Sequence, residues 1–160
     1  RRARQFGLGI TVHTGESGPV EEVARVVELL EPDRIGHGVK AAYDPRAMAM
    51  ISERGIVLEI CPTSNLNTGV VSGWDEFRWI LDQFRRNGVR YTISTDGPEM
   101  LKTYIRDELA QLGRQGILSA EDQESVVATA VRSSFVPNVS DVPAPARQPA
   151  PRDVVEREEA

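Results

Sequence analysis

The chain has 160 residues, of which 40% are hydrophobic and 27% are charged, a composition typical of one globular domain. Its net charge of −5 provides no basic field that could gather phosphates, so we expect no nucleic-acid partner. No apolar run approaches the roughly 20 residues that cross a bilayer, and no signal-peptide pattern follows the basic start of the chain. We therefore expect no membrane partner and a cytoplasmic location. The single cysteine, Cys61, has no partner for an internal disulfide.

From Leu8 onward, short apolar strands alternate with amphipathic helices, the pattern of a parallel sheet with helical crossovers. We predict strands over residues 8–12, 34–36, 56–60 and 90–94. We predict helices over residues 20–30, 45–54, 74–86, 103–114 and 120–134. Local signals support the helix ends: Asp44 as an N-cap before Pro45, Gly55 after a helix, and Ser119 with Asp122 as a near capping box.

Four consecutive βα units fit either half of an eight-stranded barrel or a small doubly wound sheet. The position of the polar residues favours the barrel, because barrel enzymes collect their chemistry at the carboxyl ends of the strands. The predicted fold is thus an α/β (β/α)8 TIM barrel, of which this chain holds about the last four βα units and C-terminal helices.

Both ends of the chain carry further signals. The chain has no initiator methionine and opens with what reads as the last turn of a helix, so we expect a fragment. Residues 137–160 are rich in proline and have little apolar patterning, which predicts a disordered tail. The predicted C-terminal half-barrel therefore covers residues 1–136.

The two histidines of the chain follow consecutive predicted strands. His13 and His37 are therefore expected side by side at one edge of the sheet, with glycines beside them and Glu16 three residues after His13. One histidine in such a place is often only a satisfied polar group in a turn. Two together favour a functional site.

Asp96 ends the fourth predicted strand in the same way, although an aspartate before glycine is also common in turns. At the same height as His13 and His37, it completes an imidazole and carboxylate set that suits zinc. Cys61 is a further candidate ligand, but a lone thiol at a strand end is more often a small core residue. Glu59 fits either a site carboxylate or a polar layer, and the sequence leaves both open.

Four segments carry a resemblance to a known family: His13-Thr14-Gly15-Glu16, Arg34-Ile35-Gly36-His37-Gly38, Cys61-Pro62-Thr63-Ser64-Asn65 and Ser94-Thr95-Asp96-Gly97-Pro98. In this order and spacing they resemble the strand-end motifs of the adenosine deaminase family, over about residues 7–136. The chain has neither the H-x-E and P-C-x-x-C segments of cytidine deaminases nor the H-E-x-x-H helix of metalloproteases.

The resemblance implies a zinc-dependent hydrolase of purine metabolism that converts adenosine to inosine and ammonia. It implies that His13 and Asp96 are zinc ligands, that Glu16 protonates the purine ring, and that His37 orients and helps deprotonate the attacking water. The chemistry needs these groups, because zinc makes hydroxide available at neutral pH and an acid neutralises the charge that enters the purine.

The sequence departs from the family at two points. The family takes two further zinc ligands from an H-x-H segment that this chain lacks, so we expect these residues to need a missing N-terminal half-barrel or a self-association partner for activity. Gly97 stands where the family typically has a second aspartate against the purine, so adenosine remains the first choice of substrate, with adenine or another 6-aminopurine compound as alternatives. A non-catalytic half-barrel that serves as a binding or assembly module, or a different metal hydrolase on the same fold, would also fit the sequence.

Overall fold

The structure is a computed structural model that describes residues 2–136. Its centre is a four-stranded sheet in which every neighbouring pair is parallel and the spatial order equals the chain order, β1-β2-β3-β4. The strands are β1 (Thr11–Thr14), β2 (Arg34–His37), β3 (Val57–Ile60) and β4 (Arg90–Ile93). The predicted α/β architecture of consecutive βα units is confirmed.

The five long helices predicted from periodicity are all present. The helices are α1 (Arg2–Gln5), α2 (Glu22–Leu30), α3 (Pro45–Glu53), α4 (Pro62–Asn67), α5 (Trp74–Arg86), α6 (Pro98–Leu101), α7 (Ile105–Arg114) and α8 (Ala120–Arg132), with a 3-10 helix at Val39–Tyr43. Neither α4 nor α6 was predicted, because helices of one or two turns are too short to show a hydrophobic period.

The helix-end signals of the sequence act as predicted. The Asp44 side chain accepts a hydrogen bond from the backbone nitrogen of Arg46 at 2.9 Å, with Pro45 in the first helical turn. Gly55 has φ of +65° after α3, the left-handed region that favours glycine. Ser119 and Asp122 form a reciprocal capping box, with bonds of 2.9 and 3.1 Å.

The helices cover one face of the sheet and bury its apolar residues. Ile35 and Leu58 are completely buried on this face, and the ring of Tyr91 lies 6.3 Å from the ring of Phe84 on α5. Burial of this kind supplies most of the driving force for folding. The stability of the half-barrel therefore depends mainly on the contact between sheet and helices.

The opposite face of the sheet is polar and concave. In-register residues His13, Gly36, Glu59 and Thr92 lie along it. The Thr11 hydroxyl donates to Glu59 at 2.8 Å although their strands are separated by β2. Side chains reach across a strand in this way when the sheet curls toward them, as in the wall of a barrel.

The first strand differs from its predicted bounds. Pairing with β2 begins only at Thr11 opposite Arg34, so β1 starts three residues after Leu8 and includes His13 rather than ending before it. Leu8 is 60% exposed. Apolar character alone therefore does not extend the strand where no neighbouring strand pairs with it.

The apolar residues of the strands are divided between the two faces of the sheet. Side chains alternate between the two faces of a strand, so Val12 points away from the face of His13, and Ile93 away from that of Thr92. Val57 does lie on the inner face but is only 2% exposed.

No helix within residues 2–136 is long and apolar enough to cross a membrane. The predicted tail, residues 137–160, lies outside the described residues.

The outer strands and the helix beside β1 predict self-association of the isolated 160-residue chain. Strand β1 has one strand neighbour among the described residues, and Leu29 and Leu30 of α2 are 74% and 49% exposed. Unpaired strand edges next to apolar surface favour association. We expect sedimentation to show dimers or larger species, which Leu29→Lys reduces more than the surface control Glu53→Lys. A sharp thermal transition of a monomer would contradict this expectation.

Candidate active site

Four predicted site residues lie at the carboxyl ends of the parallel strands. His13 is in β1, His37 is the last residue of β2, Glu16 follows β1, and Asp96 follows β4. The His13 and His37 rings are tilted with centroids 5.2 Å apart. Nε2 of His37 lies 3.5 Å from Oε2 of Glu16. The structure thus brings His13, His37 and Glu16 together.

The position of His13 depends on the glycine beside it. Gly36 pairs with His13 in the sheet, and a Cβ atom at residue 36 would overlap the His13 ring. The imidazole therefore lies directly over the backbone of β2. The centroid of the His13 ring lies 5.2 Å from that of the His37 ring.

The backbone turns sharply at His37 and Asp96, whose φ angles are 61° and 60°. Left-handed backbone is uncommon outside glycine, although histidine and aspartate adopt it more often than most residues, and each such residue costs about 1–3 kcal/mol. Continued alternation in β2 would have placed His37 on the face of Ile35. The left-handed turn instead directs its ring toward His13.

The loop after β1 holds Glu16 beside His37. Gly15 has φ of +69°, and its carbonyl accepts from the backbone nitrogen of Lys40 at 3.0 Å. The ammonium group of Lys40 donates to the carbonyl of Gly18 at 2.6 Å. These bonds attach the loop to the 3-10 helix that follows His37. The same hydrogen bonds therefore position Glu16 relative to His37.

Helix α4 supplies two contacts that the sequence analysis did not assign. The Ser64 hydroxyl donates to Oδ2 of Asp96 at 2.8 Å, and Nδ2 of Asn65 lies 2.9 Å from Nδ1 of His37. Ser64 and Asn65 are 3% and 0% exposed. Both belong to the segment Cys61-Pro62-Thr63-Ser64-Asn65, which carries part of the family resemblance. Their position as polar residues directly after a buried strand is the sequence feature that could have indicated them.

A buried carboxylate supports α4 from the C-terminal helices. Glu108 of α7 is completely buried, and Oε2 accepts from the backbone nitrogen of Thr63 at 3.2 Å. Oε1 accepts from the hydroxyl of Thr103 at 3.2 Å. Burial raises the pKa of Glu108 despite these hydrogen bonds. Glu108 thereby anchors the first turn of the helix that carries Ser64 and Asn65.

The two predicted metal ligands are on opposite outer strands of the described sheet. His13 is on β1 and Asp96 follows β4, and both residues are exposed. Within residues 2–136, no three His, Cys, Asp or Glu side chains lie close enough together to hold a metal ion. An imidazole and a carboxylate are both ordinary zinc ligands. The donor chemistry therefore fits zinc, but only part of a coordination sphere is present.

Cys61 and Glu59 take structural positions. Cys61 is 5% exposed, and burial raises the pKa of its thiol to about 12, with the carboxylate of Asp96 as the next cause. Such a thiol is a poor ligand and nucleophile at neutral pH. Glu59 accepts from Thr11 and lies 3.3 Å from Nε of Arg34, so it belongs to a polar layer of the inner face.

A cavity of about 520 Å³ opens at the other end of the sheet, near the strand starts. Its arginines are already engaged: Arg54 donates to the carbonyl of Val27, Arg90 to that of Gly55, and Arg34 to that of Ser133. These hydrogen bonds hold the three arginine side chains against backbone carbonyls near the strand starts. The candidate catalytic and metal-binding residues lie at the opposite, carboxyl end of the sheet.

Comparison with known proteins identifies the family of the chain. The family model described as adenosine deaminase matches residues 1–141. The chain belongs to the adenosine deaminase family. It is 36% identical over 133 residues to the adenosine deaminase of Clostridium botulinum (strain Okra / Type B1), which covers 83% of this chain and 39% of that protein. The chain thus spans about two fifths of the length of the curated relatives it matches.

Solved structures of this deaminase family agree in fold. An adenine deaminase from Arthrobacter aurescens is 26% identical with a TM-score of 0.76, over 87% of this chain and 42% of that one. The four parallel units are therefore part of a TIM-barrel-like deaminase fold, as predicted.

Two further structures of the same fold contain ligands. An ADAL complex with IMP is 25% identical, with a TM-score of 0.72 over 84% of this chain and 38% of that one. A Burkholderia ambifaria amidohydrolase with bound Zn is 22% identical, with a TM-score of 0.71 over 86% of this chain and 38% of that one.

Glu108 should make the stability of the protein depend on pH. Because its folded-state pKa is raised above the ordinary value of 4.5, the folded state binds this proton more tightly than the unfolded state. The stabilisation is complete below pH 4.5 and is lost as pH rises through the raised pKa. This chain is joined to the first four βα units of a barrel for the test. Urea unfolding of that protein at several pH values should show this loss for wild type relative to Glu108→Gln. The exposed control Glu121→Gln should follow wild type, and parallel curves for all three proteins would exclude the effect.

Proposed function

We propose that this chain is the C-terminal part of a zinc-dependent deaminase that converts adenosine to inosine and ammonia. The observation that carries the proposal is the contact of Glu16 with His37, 3.5 Å apart and beside His13, at the carboxyl ends of adjacent strands. A carboxyl group and an imidazole in contact are suited to moving protons in a water-addition reaction. The family and its adenosine deaminase members support this choice of reaction.

Each residue has a distinct task in the proposed reaction. The Glu16 carboxyl group gives its proton to the purine ring as water adds to C6. His37 faces the same space, orients the attacking water and takes part in its deprotonation. The hydroxyl group of Ser64 holds one oxygen of Asp96, which leaves the other available as a ligand atom.

Zinc fits the donor set described above, with His13 and Asp96 as its ligands from this chain. When bound, the metal lowers the pKa of water toward neutrality. Two protein ligands are fewer than a catalytic zinc site uses. The remaining ligands are therefore expected from the barrel strands that this chain does not contain.

The substrate is a 6-aminopurine compound, with adenosine as the first choice. Gly97 has ordinary backbone angles, and its nearest foreign atom to an added Cβ is the Met100 methyl group at 3.5 Å. The surrounding structure therefore leaves room for a larger side chain at residue 97, and the glycine is not required by a lack of space. Adenine is the second candidate, which the adenine deaminase of the same fold supports.

The proposed tasks separate when residues are replaced in a complete barrel. Here a complete barrel means this chain with the first four βα units, in one polypeptide or co-expressed with the first half of the C. botulinum relative. His13→Ala or Asp96→Ala should lower zinc content and activity together. Glu16→Gln should keep zinc while kcat falls by a factor on the order of 10² to 10⁴, because the amide has no proton to give. His37→Ala should also spare much of the metal.

Metal analysis of each purified variant and the loss of adenosine absorbance measure these outcomes. Glu21→Gln, at an exposed position before α2 without a capping bond, is the matched control and should behave as wild type. Near-normal turnover by Glu16→Gln would remove Glu16 from the role of ring-protonating acid.

Gly97→Asp tests the substrate choice. The backbone and the space at residue 97 accept a side chain without strain, so we expect the protein to fold normally. An added carboxylate that contacts the purine should lower KM for the preferred substrate by roughly tenfold, the worth of about one hydrogen bond. Rates with adenosine, adenine and AMP, measured before and after the change, identify that substrate. An unchanged KM for all three compounds would show that residue 97 does not face the purine.

A further inference from the structure

We propose that Asn65 is a positioning residue that places the ring proton of His37 on Nε2, so that this nitrogen donates a hydrogen bond into the site. This inference rests on the proposed function for its catalytic meaning. The placement of the proton itself rests on the contacts of the His37 ring alone.

The first contact is with the side-chain amide of Asn65. Its Nδ2 lies 2.9 Å from Nδ1 of His37, and both residues are buried. An amide nitrogen only donates hydrogen bonds, so Nδ1 must be the unprotonated, accepting nitrogen of the ring. In a neutral imidazole the proton is then on Nε2.

The second contact agrees with this assignment. Nε2 of His37 lies 3.5 Å from Oε2 of Glu16. A protonated Nε2 directs its N–H toward this oxygen, which can accept a hydrogen bond whether the Glu16 carboxyl group is ionised or carries its proton. The ring thus has a donor on its Nδ1 side and an acceptor on its Nε2 side, and only the Nε2–H tautomer suits both.

The hydrogen bond to His37 sets the orientation of the Asn65 side-chain amide. Among residues 2–136 the Oδ1 atom of Asn65 has no hydrogen-bond partner, so His37 is the polar partner of the amide. The backbone of Asn65 is hydrogen-bonded on both sides of its Cα atom. Its nitrogen donates to the carbonyl of Cys61 at 2.9 Å, and its carbonyl accepts from the backbone nitrogen of Val71 at 3.0 Å. The amide is therefore rigidly placed at the back of the ring.

The catalytic consequence concerns the two tasks proposed for His37. With its proton on Nε2, His37 orients the attacking water by donating a hydrogen bond to the water oxygen. It cannot accept a proton at Nε2 unless the Asn65 amide rotates to present Oδ1 to a newly protonated Nδ1. Orientation by donation is thus the resting role of His37, and Asn65 sets it.

The direct test is nitrogen NMR of a complete barrel labelled at histidine with ¹⁵N, in the absence of substrate. Protonated and unprotonated ring nitrogens have distinct ¹⁵N shifts, and His37→Gln identifies the signals of His37. We expect a protonated Nε2 and an unprotonated Nδ1. A protonated Nδ1 with a bare Nε2 would overturn the proposal. This result is independent of whether any purine is deaminated, so it stands apart from the proposed function.

Two variants of similar size test the effect on catalysis. Asn65→Asp replaces the donor with an acceptor and should move the ring proton to Nδ1, while Asn65→Leu removes the polar partner. In both, kcat for adenosine should fall by a factor on the order of 10 to 10², the usual effect of losing an outer hydrogen-bond partner, with KM and zinc content unchanged. Asn67→Asp and Asn67→Leu, at an exposed position of the same helix, are the matched controls and should keep wild-type kcat.

The outcomes separate a positioning role from a structural one. A normal kcat in Asn65→Asp would show that an acceptor suffices and would overturn the proposal. A loss of zinc and of thermal stability together with a raised KM would assign Asn65 to folding alone and would also overturn the proposal. If neither variant folds, the NMR of the wild-type ring still decides the matter.

Discussion

The site depends on the absence of a side chain at residue 36. The imidazole of His13 occupies the space where a Cβ would stand on the neighbouring strand, and the fixed parallel register brings these two residues opposite each other. His37 follows immediately and takes a left-handed backbone. A strand that ends in Gly36 and His37 therefore makes room for one imidazole and turns a second one toward it.

The division of the sheet into an apolar and a polar face explains how a site of this kind can be stable. The face of Ile35 and Leu58 is buried against helices and carries the hydrophobic free energy. On the inner face, Glu59 is paired with Arg34 and bonded to Thr11, so its charge is compensated close to the strand starts. The polar residues at the carboxyl ends lie outside this apolar core, so the hydrophobic free energy of folding does not come from them.

The sequence alone predicts the parts of this structure that depend on local patterns. Helix α5 begins and ends where its period does, and the caps at Asp44 and Ser119 form as their residue types suggest. The strand-end polar residues lie at one edge of the sheet as expected, because all strands are parallel. Contacts such as Glu108 with Thr63, 45 residues apart, leave no pattern in the chain. The same holds for the hydrogen bond of Asn65 with His37, because α4 is too short to have a period that would orient its side chains.

The candidate site is distributed unequally over the sheet, and this has a consequence for how such a barrel works. The candidate proton-transfer pair, Glu16 and His37, lies at the carboxyl ends of the adjacent strands β1 and β2 and is in contact within this chain. The candidate metal ligands, His13 and Asp96, lie at the two outer strands of the described sheet, where further barrel strands would pair. Proton transfer groups can therefore be arranged by the fold of this half alone, through α4 and the loop after β1. If His13 and Asp96 hold zinc as proposed, metal binding would require the barrel to close, because the two candidate ligands lie on opposite outer strands of the described sheet. In such a barrel, zinc occupancy would report on assembly, while the orientation of His37 depends on the local contact with Asn65.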